Sequence, residues 1–485
     1  VAIKFVESFT TVLKDDAGRH LTTLLWGDPV HVLDSSGGSV QVLARGRKGW
    51  VTETAISDRS LLEIYVIDVG QGDGVLLKTP EGKWHLIDAG VANRDQMTKK
   101  GAANFLRWKF QEDLRQETVA LATVLVTHPD YDHYGGLLDV LSGKLFDGRT
   151  FAVEVENFYH SGLGRFKAAP KLGQTAPGET DAFPNGFHGI RQQGTFITEL
   201  LDGKESFTIP SRAFEGRFAE YAALVSQVPR HVQRLSHRDQ YLPGYAPGES
   251  DLAIHVLGPV LEHFGQGQVG LRVIEGESVT RNGHSIVLRL DYRQVRILLT
   301  GDLNTKSQQL LLSYHPEVEF AVDVAKACHH GSDDVDLNFV KAVQARATVI
   351  SSGDNEDYAH PRPMVMGASA RYGREIQGMN GEILPPLVYS TELARSVKLA
   401  YAASVRVQLA PGTETPLQTV SPANTQVKAR EAGAKFRQLP RTPLSTDLVY
   451  GLVNVRTDGV HILCATMEEQ GTDFDVKVFK AAVDA

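Results

Sequence analysis

Cysteine is almost missing. Only Cys328 and Cys464 occur in 485 residues, so no disulfide framework stabilises this chain. Long apolar runs are missing too: none approaches the about 20 residues that a membrane-crossing helix needs. The first residues, Val1-Ala2-Ile3-Lys4-Phe5, lack the basic start and apolar stretch of a signal peptide. They also lack Met, which leaves processing open, and the expectation is a cytoplasmic protein with no membrane segment. A surplus of positive charge is absent, since 50 Lys and Arg stand against 58 Asp and Glu. That balance argues against a surface basic all over. The glycine-rich Gly70–Gly74 is not followed by Gly-Lys-Ser/Thr, so a phosphate loop of that type is unsupported. Repeats and low-complexity tracts are lacking as well.

What is present begins with a β-rich stretch. Short apolar runs at Val30–Leu33 and Val40–Leu43 are separated by turn signals at Gly27-Asp28-Pro29 and Ser35-Ser36-Gly37-Gly38. The ending Lys48-Gly49-Trp50-Val51 resembles the last strand of bacterial SH3-like domains. Residues 1–57 are therefore expected to form a small all-β SH3-like domain, which suits docking of a protein partner better than chemistry.

From Leu61 the pattern changes to strands alternating with helices, the signature of a layered α/β protein. Strands are predicted at Ile64–Val69, Gly74–Lys78, Trp84–Asp88 and Leu121–Thr127, and helices at Asn104–Leu114 and Leu137–Leu145. Residues 160–250 are rich in Gly, Pro, Gln and charge without strand rhythm and read as an insertion. Further strands are predicted at Leu252–Leu257, Ser285–Asp291, Val295–Thr300, Val322–Cys328 and Thr348–Ser352. A second insertion is expected near 391–447, followed by a hairpin of Val449–Val455 and Val460–Met467 about Thr457-Asp458-Gly459. Between Arg395 and Arg441 eight Lys and Arg face only Glu414 and Glu431, a local excess that could attract a polyanion or simply be a solvated surface.

The chemistry gathers at Thr127-His128-Pro129-Asp130-Tyr131-Asp132-His133, between a buried strand and a helix. Imidazoles and carboxylates this close repel or titrate awkwardly unless a cation organises them. The spacing H-x-D-x-D-H puts alternate side chains on one side of an extended loop, so several donors can converge. Gly135-Gly136 is expected to let the backbone turn sharply into the helix.

This run resembles the H-x-H-x-D-H of the metallo-β-lactamase superfamily, in the form found in its branch of ComEC-type competence proteins. Other motifs of that branch follow in order: Asp68-Val69-Gly70-Gln71-Gly72-Asp73, Ile87-Asp88-Ala89-Gly90, Asn282-Gly283-His284-Ser285, Leu298 to Asp302, His329-His330-Gly331-Ser332, and Ala359-His360-Pro361 after Asn355. The resemblance spans about residues 61–390. It implies an αββα sandwich with insertions over 58–485.

The resemblance also implies a site with two divalent metal ions, zinc by default, with manganese suiting the carboxylate in place of a histidine. His128 and Asp130 would hold the first ion, with His284 as its further ligand. Asp132 and His133 would hold the second, with His330 as its further ligand and His329 as the alternative. Asp302 would bridge the two. Asp88 would orient a ligand from behind. Asp68, Lys326 and Ser332 are supporting or anion-contacting candidates. His360 is a candidate to contact phosphate or protonate a leaving group, against the alternative of a structural His-Pro turn. Two such ions hold a hydroxide and take up charge on attacking and leaving oxygens. The reaction expected is therefore phosphodiester hydrolysis, with Asp132 central, on a nucleic acid or nucleotide. A small phosphoester, a lactone, or a sensor role with secondary catalysis are the alternatives.

Overall fold

Seven antiparallel strands between Ile3 and Ser57 open the fold, in the computed structural model that describes residues 2–96, 98–180, 192–353, 360–392, 406–410, 413–416, 426–428, 436–438, 451–467 and 473–482. Strands Pro29–Ser36 and Ser39–Ala44 form a hairpin about Gly37 and Gly38, both at positive φ. Along Ser39–Ala44 every second residue points inward, and Val40, Val42 and Ala44 meet Val6, Leu13, Leu24, Val30 and Val51 in a small core. A Cβ on Gly49 would lie 2.5 Å from the Lys14 carbonyl oxygen, so the Gly-Trp-Val ending needs its glycine for close strand packing.

Two larger sheets follow. The first has nine strands and is parallel where Trp84–Ile87, Thr118–Val126, Ala152–His160 and His231–Arg234 lie side by side. Its antiparallel half runs through Val75–Lys78, Leu62–Val66, Val453–Thr457, His461–Met467 and Phe474–Lys480. The second has six strands, ordered Leu252–Gly258, Val287–Tyr292, Val295–Leu299, Val324–Lys326, Ala347–Ile350 and Leu387–Ser390. Ile64, Val66, Leu77 and Leu125 of the first meet Ile254, Leu288, Ile297 and Val349 of the second in the central core. The outer face of the first sheet carries helices Ala102–Arg107, Leu137–Ser142 and Gly216–Val225. The outer face of the second carries Thr305–Tyr314 and Leu337–Val343. The result is the helix–sheet–sheet–helix sandwich, and many of its strands read as continuous apolar runs because both faces are buried.

Several elements depart from the sequence pattern. Asn104–Leu114 is an α-helix only to Arg107 and then a π-helix, Trp108–Asp113. The strand expected over Val322–Cys328 is limited to Val324–Lys326, and Cys328 falls in the following 3-10 turn. Residues 160–250 hold strands after all, at Thr175–Glu179, Gln193–Ile197 and His231–Arg234; short pieces paired to distant partners leave little local rhythm. Arg395–Val449 forms a separate compact unit, whose described residues make two antiparallel hairpins, Arg406–Ala410 with Thr413–Pro416 and Gln426–Lys428 with Phe436–Gln438. Most of the basic stretch, with Val449, Asn355 and Ala359, lies outside the described residues. No helix among the described residues is long and apolar enough to cross a membrane.

Strand direction decides where chemistry can sit. The strands ending at Ile87, Val126, Leu299 and Lys326 deliver Asp88, His128 to His133, Asp302 and His329-His330 to one edge of the sandwich.

Candidate metal centre

The histidine run is built on a carboxylate anchor. Asp88, held at φ +56, accepts the Thr127 N–H at 2.8 Å and the Thr127 hydroxyl at 2.6 Å. The loop then enters the short helix Tyr131–Tyr134. Gly72, at φ +93, lies so close that a Cβ there would stand 1.7 Å from the Asp132 carbonyl oxygen. The expected sharp turn at Gly135-Gly136 is not what these glycines provide. Their φ values of −57 and −66 are ordinary for a helix. A Cβ on Gly136 would instead meet the Ala89 carbonyl oxygen at 2.0 Å, so they are needed for close approach.

Three buried histidines share one design. His133 Nδ1 donates to Asp88 Oδ2 at 2.8 Å, and His330 Nδ1 faces Asp73 Oδ1 at 3.1 Å. His128 Nδ1 lies 3.2 Å from the hydroxyls of Thr127 and Ser285. Each Nδ1 is thus held from behind, and each Nε2 is buried with no hydrogen-bond partner. These Nε2 atoms converge on Asp302 Oδ2, at 3.1 Å from His330, 3.2 Å from His133 and 4.0 Å from His128. His329 Nε2 stands 3.8 Å from the same oxygen, and Asp132 Oδ2 lies 3.5 Å from His330 Nε2. Ligand atoms of Asp132, His133, Asp302 and His330 all fall within 4.8 Å of one another.

Burial alone would raise the Asp302 carboxyl, yet His133, His330 and His329 together hold it well below the usual range. Burial likewise opposes charge on His133 and His330, but the surrounding carboxylates raise both well above an ordinary histidine. His128 is pushed down to about 4 by burial and by His133. Buried carboxylates facing imidazoles with lone pairs turned inward fit a divalent cation, whose charge replaces the protons otherwise needed there. His329 and His330 both adopt left-handed φ, +48 and +52, and such strain persists only where surrounding structure enforces it.

Two residues expected on the first ion stand apart. Asp130 Oδ1 accepts Arg165 Nη1 at 2.7 Å and Arg281 Nε at 2.6 Å, and its other oxygen lies 2.9 Å from the Asn282 amide nitrogen. His284 Nε2 donates to the Arg272 carbonyl oxygen at 2.7 Å, away from the cluster. Its neighbour Ser285 does reach the cluster: its hydroxyl accepts the Asp302 N–H at 2.9 Å. Lys326 is buried in an ion pair with Asp73. His360 is buried beside the cluster, its ring centroid 5.9 Å from that of His329. Ser332 and Asp68 accept backbone N–H groups in their own turns, from Asp334 and Gly70. Burial raises the Cys328 thiol to about 11, which suits packing rather than nucleophilic chemistry.

Asp73, Thr127, Ser285, Arg165 and Arg281 were not singled out from sequence. Asp73 ends Asp68–Asp73 and Ser285 ends the Asn282–Ser285 run, so both lay within motifs already noted. Arg165 lies 35 residues beyond Asp130, and no local pattern joins the two.

A layered α/β sandwich with a buried His and Asp cluster at its strand ends defines a metal-dependent hydrolase. The chain belongs to the metallo-beta-lactamase superfamily, whose family profile matches residues 67–353. Among curated proteins it is similar to ComE operon protein 3 of Bacillus subtilis (strain 168), 28% identical over 123 residues, or 25% of this chain and 14% of that protein. It is also similar to competence protein ComA of Neisseria gonorrhoeae, 33% identical over 104 residues, or 21% of this chain and 15% of that protein. The matches thus span about a seventh of each relative's length. Among solved structures, the metal-dependent hydrolase Tm1679 of the beta-lactamase superfamily aligns at 13% identity and TM-score 0.31, covering 68% of this chain and 95% of that one. A long-form RNase Z from yeast aligns at 10% identity and TM-score 0.23, covering 61% and 37%.

Proposed function

We propose that this chain is a phosphodiesterase acting on a nucleic acid or nucleotide, with divalent ions held around Asp302. The carrying observation is the convergence of the His128, His133 and His330 Nε2 atoms on Asp302 Oδ2, with Arg165 and Arg281 paired to Asp130 on the same loop. Asp132, His133, Asp302 and His330 would hold one ion, and His128 and His329, whose Nε2 atoms also approach Asp302 Oδ2, would hold a second. Imidazole with carboxylate suits zinc first and also manganese. Bound there, the ions activate water and stabilise charge on phosphate oxygens.

The protein's own groups do the rest. Asp88 and Asp73 fix the rings of His133 and His330 with Nε2 turned inward. Lys326 balances the buried charge of Asp73. Arg165 and Arg281, oriented by Asp130, offer their remaining N–H groups to a phosphate, which suits planar guanidinium donors. His360, beside His329, is placed to give a proton to a leaving oxygen. Residues 1–57 act as an SH3-like positioning unit, and the basic stretch after Arg395 favours a polyanionic substrate.

The test is hydrolysis of single-stranded DNA, double-stranded DNA and bis(p-nitrophenyl) phosphate with zinc or manganese, with Asp132→Asn as control. Cleavage of at least one phosphodiester, lost in the control, is expected. Cleavage of none, with activity on a lactone instead, would overturn the reading.

A further inference from the structure

A cavity of about 610 Å³ lies where the N-terminal sheet meets the outer face of the nine-stranded sheet, separate from the His and Asp cluster. Its volume falls within the about 300–1,000 Å³ of small-molecule sites, which favour such seams between structural units. Three observations describe what it would accept.

One wall is aromatic. Tyr65, Phe105 and Trp108 line it in sequence, with ring centroids 5.7 Å apart and tilted 52° for the first pair, and 5.9 Å apart and tilted 37° for the second. Trp108 is 37% exposed, which leaves part of its ring open to the cavity. Among the other lining residues Lys and Arg outnumber Asp, five to three. Asp28 is held by Arg45 at 2.7 Å and Arg456 at 2.8 Å, which settles the interior charge. Arg47 and Lys100 stand at the exposed rim of the same cavity. Finally, Trp108 opens the π-helix Trp108–Asp113, a rare geometry that recurs at functional sites.

We infer that this cavity is a second site, distinct from the metal centre, for a planar aromatic anion of mononucleotide size. The base stacks on Phe105 and Trp108, and the phosphate meets Arg47 and Lys100. Stacking tolerates any base, so the site is expected to read the ring and the charge rather than base identity. The inference is independent of the phosphodiesterase reading, since none of its residues belongs to the metal cluster.

The experiment is calorimetric titration of the full chain with adenosine monophosphate, uridine monophosphate and inorganic phosphate. With the protein stripped of metal by EDTA, so that the metal centre takes no ligand, the expected result is one saturable site for each nucleotide and at least tenfold weaker binding of phosphate. Trp108→Ala and Arg47→Ala, both exposed and checked by thermal melting, should each weaken nucleotide binding about tenfold. Asp132→Asn should leave it unchanged. Binding lost in Asp132→Asn but kept in Trp108→Ala and Arg47→Ala would move the ligand to the metal centre and overturn the inference. So would the absence of nucleotide binding at millimolar concentration.

Discussion

At Asp130 and Asp132, two carboxylates one turn of loop apart meet opposite surroundings. Asp132 faces His330 Nε2, whereas Asp130 is clamped between Arg165 and Arg281. The spacing H-x-D-x-D-H shows four donors but not which of them face inward. That choice depends on Arg165 and Arg281, brought in from 35 and 151 residues away. We therefore predict that Asp132→Asn lowers tightly bound metal, measured by elemental analysis after gel filtration, to below half of the wild-type content. Asp130→Asn should keep that content and instead raise KM for a phosphodiester several-fold, by loosening the two arginines. Loss of metal in Asp130→Asn would restore it as a ligand. His284 illustrates the same limit: its place beside Asn282 suggested a ligand, but Ser285 is the side chain that reaches the cluster.

At the scale of elements, the strands were legible where both faces are largely buried, because Leu121–Thr127 and Val295–Thr300 are mostly apolar, broken only by Thr123, Thr127, Arg296 and Thr300. The π-helix was not legible, since its side-chain spacing imitates an α-helix over six residues. Nor were the strands of 160–250, whose partners lie far along the chain. Loop geometry around the site depends on glycine more than the turn pattern suggested. Gly72→Ala would push a Cβ into the Asp132 carbonyl at a backbone φ that disfavours any side chain. Its expected outcome is a folded protein destabilised by about 2 kcal/mol in urea denaturation, with reduced metal content. Unchanged stability and metal content would show that the Asp68–Asp73 loop does not position Asp132.

Across the whole molecule, the N-terminal sheet is attached through buried charge rather than a bare linker. Arg456 donates to the Trp26 carbonyl oxygen at 2.7 Å and pairs with Asp28, and Arg45 N–H donates to Asp113 Oδ1 at 3.0 Å. Composition divided the chain near residue 57 but gave no sign of this attachment, because its partners come from opposite ends. Arg456→Met leaves Asp28 with one partner fewer and should cost about 3–5 kcal/mol of unfolding free energy. A cost under about 1 kcal/mol would mean that the network contributes little.

Acid sensitivity is a second property at this scale. His85 and His160 are buried and His237 half-buried, and desolvation is the main cause that lowers them to about 3, 4 and 4. The Nδ1 atoms of His160 and His237 accept backbone N–H groups, so both rings are neutral in the fold. The unfolded chain takes up these protons below about pH 6.5, while the folded chain resists until about 3 to 4. Each ring therefore costs about 1.4 kcal/mol per pH unit across that window. The melting temperature should fall steadily from pH 7 to pH 5, and less so in His85→Phe; a flat profile would contradict the neutral assignment.

The metal centre itself is tested most directly by anomalous X-ray diffraction from crystals grown with zinc or manganese. An ion in contact with Asp132, His133, Asp302 and His330, with Asp130 still on its arginines, is the predicted result. An ion held by Asp130 and His284, or no ion at Asp302 at all, would contradict the account.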